Sequence, residues 1–163
     1  MKFSKVLQAV ALCGGLLGFG AANASVMTFA GVNDTGSILY STLQDGATLS
    51  ATMQFTLSSI SATSATFALK VSNNSSGPGD NTLASFGIDV VSPALKTAST
   101  SAGWHASMDG KLTGGAEKVD LCIWAGSNCN GASNKGLGEG LFDTFSLTLT
   151  TAGNFLTNGI SFT

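Results

Sequence analysis

His105 is the single histidine of the chain, and that narrows the chemistry available to it. Nucleophilic catalysis needs a base beside a nucleophile, with a third group to orient the base. Serines are abundant, but no G-x-S-x-G elbow presents one, and His105 follows Trp104 in a weakly patterned stretch. It reads as a surface or half-buried side chain. Glycoside hydrolysis needs two carboxylates across a cleft. Asp109, Glu117, Asp120, Glu139 and Asp143 have the right type, but their spread over the loops of one region reads as solvated charge. A phosphate cradle needs a Gly-rich loop that opens a helix. Residues 131–140, GASNKGLGEG, lead into a strand instead. The expectation is a protein that is not an enzyme.

Cys122 and Cys129 stand seven positions apart, in a short apolar strand and the loop that follows it. An even cysteine count behind an export leader implies a disulfide made in an oxidising compartment. The closed loop, CIWAGSNC, is short, so on the chain-entropy model it contributes roughly 2–3 kcal/mol. The alternative is a metal pair, but two thiolates and one distant imidazole are too few for a zinc site.

Two ligand classes fit the remaining polar and aromatic residues. Oxygen ligands suit a hard cation such as calcium. Asp80 and Asn81, with Asn73 and Asn74, sit in one turn-rich segment; Asn128, Asn130, Asn134, Glu139 and Asp143 flank another. Neither segment matches the EF-hand or RTX pattern, and plain turn chemistry competes with calcium. Carbohydrate binding by a β-sandwich uses aromatic rings displayed to sugar faces. Trp124, Trp104 and Tyr40 are the only aromatics besides phenylalanine. Trp124 lies inside the disulfide loop, where it either displays its ring or covers the disulfide from the core side. Trp124, Asn128, Asn130 and Asp143 form the candidate ligand-binding set.

The elements that must position these residues follow a leader. Lys2 and Lys5 form a positive n-region, residues 6–22 an apolar Gly/Ala-rich h-region, and Ala22-Asn23-Ala24 a small-x-small cleavage box. Cleavage between Ala24 and Ser25 is expected, so residues 1–24 read as a signal peptide. The run is long enough for a membrane anchor, but its glycines and cleavage box favour removal. Leu12 is too large for a lipoprotein box before Cys13, which leaves with the leader. Residues 25–163 are then one domain of 139 residues, enough for a single core. That domain holds five lysines against nine acids, a net of minus four, and no arginine. Such a chain is a poor candidate for binding nucleic acid or an anionic membrane surface.

Within the domain, apolar residues alternate with Ser and Thr. Residues 47–57, ATLSATMQFTL, fit a period of two at every position, so they read as a half-buried strand. Residues 58–64 read as a turn, and Ala65, Phe67, Leu69 and Val71 as the core face of an antiparallel neighbour. Residues 73–81 are dense in turn signals. A strand over 83–91 follows, with Phe86, Ile88 and Val90 on one face, and Ser92-Pro93 ends it. Trp104 and Met108 share an inward face in the irregular segment 96–108. Further strands are expected at 119–124, 144–150 and from Ile160, with edge strands at 26–29 and 38–43. No stretch keeps a helical period. The expected fold is all-β, an antiparallel sandwich of jelly-roll or Ig-like type.

Residues 66–90, TFALKVSNNSSGPGDNTLASFGIDV, and 119–149, VDLCIWAGSNCNGASNKGLGEGLFDTFSLTL, carry a resemblance. They resemble exported bacterial proteins of the PEP-CTERM class, in the subgroup with a CxxxxxxC loop, a Gly-rich run and a DTFxLTL strand. The resemblance implies export by a Gram-negative-type bacterium to the periplasm, cell surface or exterior. It also implies sorting by an exosortase-type system and a role with exopolysaccharide, biofilm or other matrix proteins. It carries over no active-site residues. The Pro-Glu-Pro signal, apolar span and basic tail of the class are not in the sequence, whose last proline is Pro93. The apparent strand that reaches Thr163 suggests a truncated or partial chain with an exposed edge; a complete one would be released. Thr-rich outward faces would fit strand edges that pair with other copies.

Overall fold

A computed structural model describes residues 4–9, as backbone only, and 26–101, 103–112, 118–129 and 135–163. The alternating segments fold as β1 (Ser4–Ala9), β2 (Met27–Phe29), β3 (Thr35–Gln44), β4 (Ala47–Ile60), β5 (Ser64–Asn73) and β6 (Asp80–Ile88). Then come β7 (Val90–Ser92), β8 (Leu95–Thr100), β9 (His105–Lys111), β10 (Lys118–Trp124), β11 (Phe142–Thr151), a single helical turn α1 (Phe155–Asn158) and β12 (Ile160–Phe162). The fold is all-β and sandwich-like, as the patterning predicts.

Three sheets share one core. The order is β3-β4-β5-β11-β8 in the largest, β1-β6-β10-β9 in the second and β2-β12-β7 in the third. Ala47, Leu49, Ala51, Met53, Phe55 and Leu57 of β4 are all buried, and Ala65, Phe67, Leu69 and Val71 of β5 meet them on the same face. Phe86 and Ile88 of β6 and Leu121 and Ile123 of β10 join the core from the second sheet, and Phe29, Ile160 and Phe162 from the third. Polar alternates stay outside, where Thr66 pairs with Thr148 across strands at 3.2 Å and Thr97 with Thr150 at 2.6 Å. Ser4–Ala9, within the expected leader, lies parallel to β6, whereas the β6–β10 and β10–β9 pairs of the same sheet are antiparallel.

Three expectations are corrected. The 83–91 strand breaks at Asp89, and Val90 belongs to another sheet. The Asp120 carboxylate accepts from the Val90 N–H at 2.9 Å, and Asp89 exchanges backbone bonds with Thr163 at 3.0 and 3.3 Å. These tertiary partners redirect the backbone where the period of two would continue. The turn expected over 58–64 shrinks to residues 61–63 because β4 runs on to Ile60. Between β11 and β12, where no strand is expected, residues 155–158 form one helical turn, started by the Asn154 side chain accepting from Leu156 N at 2.9 Å. The final strand is interior: β12 lies between β2 and β7 with every residue buried, so it leaves no open edge.

Tyr40 ties the two larger sheets together. It sits on β3 and its hydroxyl donates to the Gly87 carbonyl of β6 at 2.8 Å. Burial, and secondarily the negative charge of Asp89, push its phenol well above the ordinary value of 10.0. The folded state therefore keeps the phenol neutral after the unfolded chain has begun to ionise. Its stabilisation is complete below about pH 10 and is lost as pH rises toward the folded value, by about 1.4 kcal/mol per pH unit. Urea unfolding at a series of alkaline pH values should show this decline. Tyr40→Phe should remove that part of the slope while costing about 1–2 kcal/mol at neutral pH, because the Gly87 carbonyl loses its partner.

Candidate functional site

The cysteine corner is built on β9 and β10. Cys122 and Cys129 form the expected disulfide. Cys122 is buried in a small second cluster with Leu112 and Val119, on which Trp124 and Cys129 pack. Gly110 of β9 makes this closeness possible: a Cβ there would stand 2.2 Å from Cys122 Cβ and 3.0 Å from Cys129 Sγ. Trp124 therefore packs on the disulfide side, half-buried. Its ring also stacks on exposed His105, with centroids 5.7 Å apart and planes 30° apart, because the register pairs His105 with Trp124 across the strands.

His105 also forms a wall of a polar cleft of about 300 Å³. Gly103 and Trp104 precede it, Ala125 and Gly126 follow β10, Lys135 to Leu137 also line it, and Asp143 stands at the start of β11. Trp104 is buried here, stacked on Phe145 with centroids 5.2 Å apart. Its indole N–H donates to Asp143 Oδ2 at 3.0 Å, while Asp143 Oδ1 accepts from Thr144 N at 2.8 Å. Each Asp143 oxygen thus already holds a donor. The carboxylate orients Trp104 and presents a fixed negative edge to the cleft.

Asn73 holds the far side in place. Its amide N–H₂ donates to the carbonyls of Asn81, at 2.9 Å, and Leu137, at 2.8 Å, and its Oδ1 accepts from Ser75 N at 3.1 Å. Its backbone bonds Leu141 and Gly140, so one buried side chain and its peptide anchor the return loop before β11. Gly136 permits that loop to lie on β6: a Cβ would meet the Leu83 carbonyl oxygen at 2.6 Å.

The candidate residues scatter differently from their spacing. Asp143 lines the cleft, and Trp124 reaches it through the His105 stack. Asn128 is exposed in the disulfide loop; Asn130 lies outside the described residues, as do Ala24, Ser25, Glu117 and Asn134. Asp80 and Asn81 begin β6 rather than occupying a loop, and they differ sharply in exposure. The buried Asn81 amide donates to Glu139 Oε2 at 2.9 Å, and its Oδ1 has no hydrogen-bond partner. Among the described residues no group of three or more His, Cys, Asp or Glu is placed to hold a metal ion. His105, Trp104 and Asn73 belong to the site in ways that spacing does not show. The signal available was weak: an adjacent Trp-His pair in a chain poor in both.

Among the described residues no helix is long and apolar enough to cross a membrane. Comparisons with protein-family models, with curated proteins and with solved structures find no match to the chain.

Proposed function

We propose that the protein is a non-enzymatic, exported surface or extracellular-matrix component that contacts exopolysaccharide at the His105–Trp124 corner. The observation that carries this reading is the exposed imidazole stacked on a half-buried indole at the rim of a polar cleft. Ring faces suit the C–H faces of sugars, and the fixed carboxylate of Asp143 suits sugar hydroxyls as an acceptor. The Cys122–Cys129 disulfide, a bond that ordinarily forms in oxidising compartments, and the leader read over residues 1–24 support export. The resemblance to PEP-CTERM proteins in the cysteine loop and the DTFSLTL strand supports a matrix role. The hydroxyl-rich outer face of the large sheet offers further polar contact to a hydrated polymer, with Gln54, Thr56, Thr144 and Ser146 bordering one shallow groove there.

Tryptophan fluorescence tests this reading. Titration with soluble dextran, alginate and hyaluronate should shift the emission with at least one of them. His105→Ala should weaken that interaction about 2- to 10-fold, the value of one ring contact. No response to any of the three polymers, or a response that His105→Ala leaves intact, would remove the glycan assignment.

A further inference from the structure

We infer that β3 is a self-association edge, through which two copies of this chain pair antiparallel about a two-fold axis. β3 is the outermost strand of the five-stranded sheet. At the other margin of that sheet, β8 lies against β9 and carries Lys96. The outer margin of β3, by contrast, is bonded by no described residue. Its ten residues, TGSILYSTLQ, include no charge and no proline. Natural sheet edges are ordinarily blunted by just those devices, and a long apolar edge without them is a template for another strand. Leu39 is 68 % exposed and Leu43 75 % exposed on this strand.

The backbone fixes which pairing is possible. Asp45 and Gly46, with φ of 49° and 79°, make a two-residue turn, so Gln44 and Ala47 are the first hydrogen-bonded pair of the hairpin. Such pairs alternate along an antiparallel ladder. Thr42, Tyr40 and Ile38 therefore also turn their N–H and C=O groups toward β4. Leu43, Ser41, Leu39 and Ser37 turn theirs to the open side, where no described residue bonds them. A two-fold axis through Ser41 brings the open-side groups of Leu39, Ser41 and Leu43 into mutual register. Ser41 meets Ser41 of the second copy, and Leu39 meets Leu43 of the second copy twice over. Both leucines have the parity opposite to buried Tyr40, so they cover each other on the outer face of a continuous ten-stranded sheet.

The occupant is a second copy because the edge is its own complement under this axis. An uncharged strand also offers nothing to steer a charged partner. A one-strand interface is small, so the association belongs to the weak, transient class and assembles at high local concentration. The inference rests on the β3 margin and on none of the cleft residues, so it holds or fails apart from glycan binding.

Sedimentation velocity on the disulfide-intact protein, over a concentration series into the millimolar range, tests it. Three variants set the register. Ser41→Pro blocks the central edge N–H without removing a bond to β4. Leu39→Lys with Leu43→Lys places like charges opposite each other. Leu39→Lys with Leu43→Glu places opposite charges there. The wild type should dimerise, Ser41→Pro and the double lysine should weaken dimerisation at least tenfold, and the lysine–glutamate pair should restore it in low salt. A wild type that stays monomeric throughout would overturn the inference. So would dimerisation that survives both blocking variants, or a lysine–glutamate variant as weak as the double lysine. Unchanged unfolding midpoints show that the variants fold; should Ser41→Pro not fold, the two charged pairs decide alone.

Discussion

Phe162→Ala is expected to lower the stability of the protein by roughly 3–5 kcal/mol. Phe162 is fully buried, and its ring lies 5.4 Å from Phe29, 5.5 Å from Phe55 and 5.5 Å from Phe67, centroid to centroid. Those four rings come from three different strand groups: β2, the β4–β5 pair and β12. Removing one therefore opens a cavity where two sheets meet, and each lost aromatic pair adds about 0.5–1.5 kcal/mol beyond its buried area. Because β12 is paired on both sides, it cannot move inward alone to fill the hole. A single domain holds about 5–15 kcal/mol in all, so this substitution should leave it marginal. Guanidinium unfolding measures the loss. Phe142→Ala is the control, since its ring is 63 % exposed and covered by Lys70 Nζ at 4.5 Å; its cost should stay within about 1 kcal/mol. A Phe162→Ala cost as small as the control's would mean that residues 160–162 do not close the core.

Strands β4 and β5 of the large sheet were legible because each has one wet face. In β4 and β5 every buried position keeps the parity that the apolar residues show in the sequence. β6 was harder. It is buried at Leu83, Ala84, Ser85, Phe86, Gly87 and Ile88 in succession, since the main core covers one face and neighbouring chain the other. Alternation therefore marks its core face but not its end. Its end is set by Asp120, thirty-one positions from Asp89 and unreadable by any local period. Asp45-Gly46 is a different case. An Asp-Gly pair between alternating segments is a strong hairpin signal, and it locates the full length of β3, which apolar alternation over residues 38–43 reads only in part. The site was legible by residue type alone. The disulfide follows from cysteine count and compartment. The bond from Trp104 to Asp143 spans thirty-nine positions, and the stacking of His105 on Trp124 follows only from the β9–β10 register.

Replacing Cys122 and Cys129 together with alanine is expected to cost about 2–3 kcal/mol and to loosen the His105–Trp124 corner beyond that loss. The first part is the chain entropy of a short closed loop, seven positions from cysteine to cysteine. The second part follows from packing. Cys122 is fully buried, and Trp124 rests on the cluster it forms with Leu112 and Val119. Alanine removes both sulfurs from that cluster, so Trp124 loses contacts beneath it while its stack on His105 depends on the same backbone. Gly110, which has room for no Cβ beside the disulfide, is left facing a gap. Two readouts separate the parts. Urea unfolding reports the global loss. Nuclear Overhauser contacts between the His105 and Trp124 rings, measured well below the unfolding transition, report the local one. Both should fall, and any polymer-induced fluorescence shift should weaken with the ring contacts. Ring contacts at full strength in the alanine pair would show that the β9–β10 register alone holds the corner, and the disulfide would then act only on the unfolded chain.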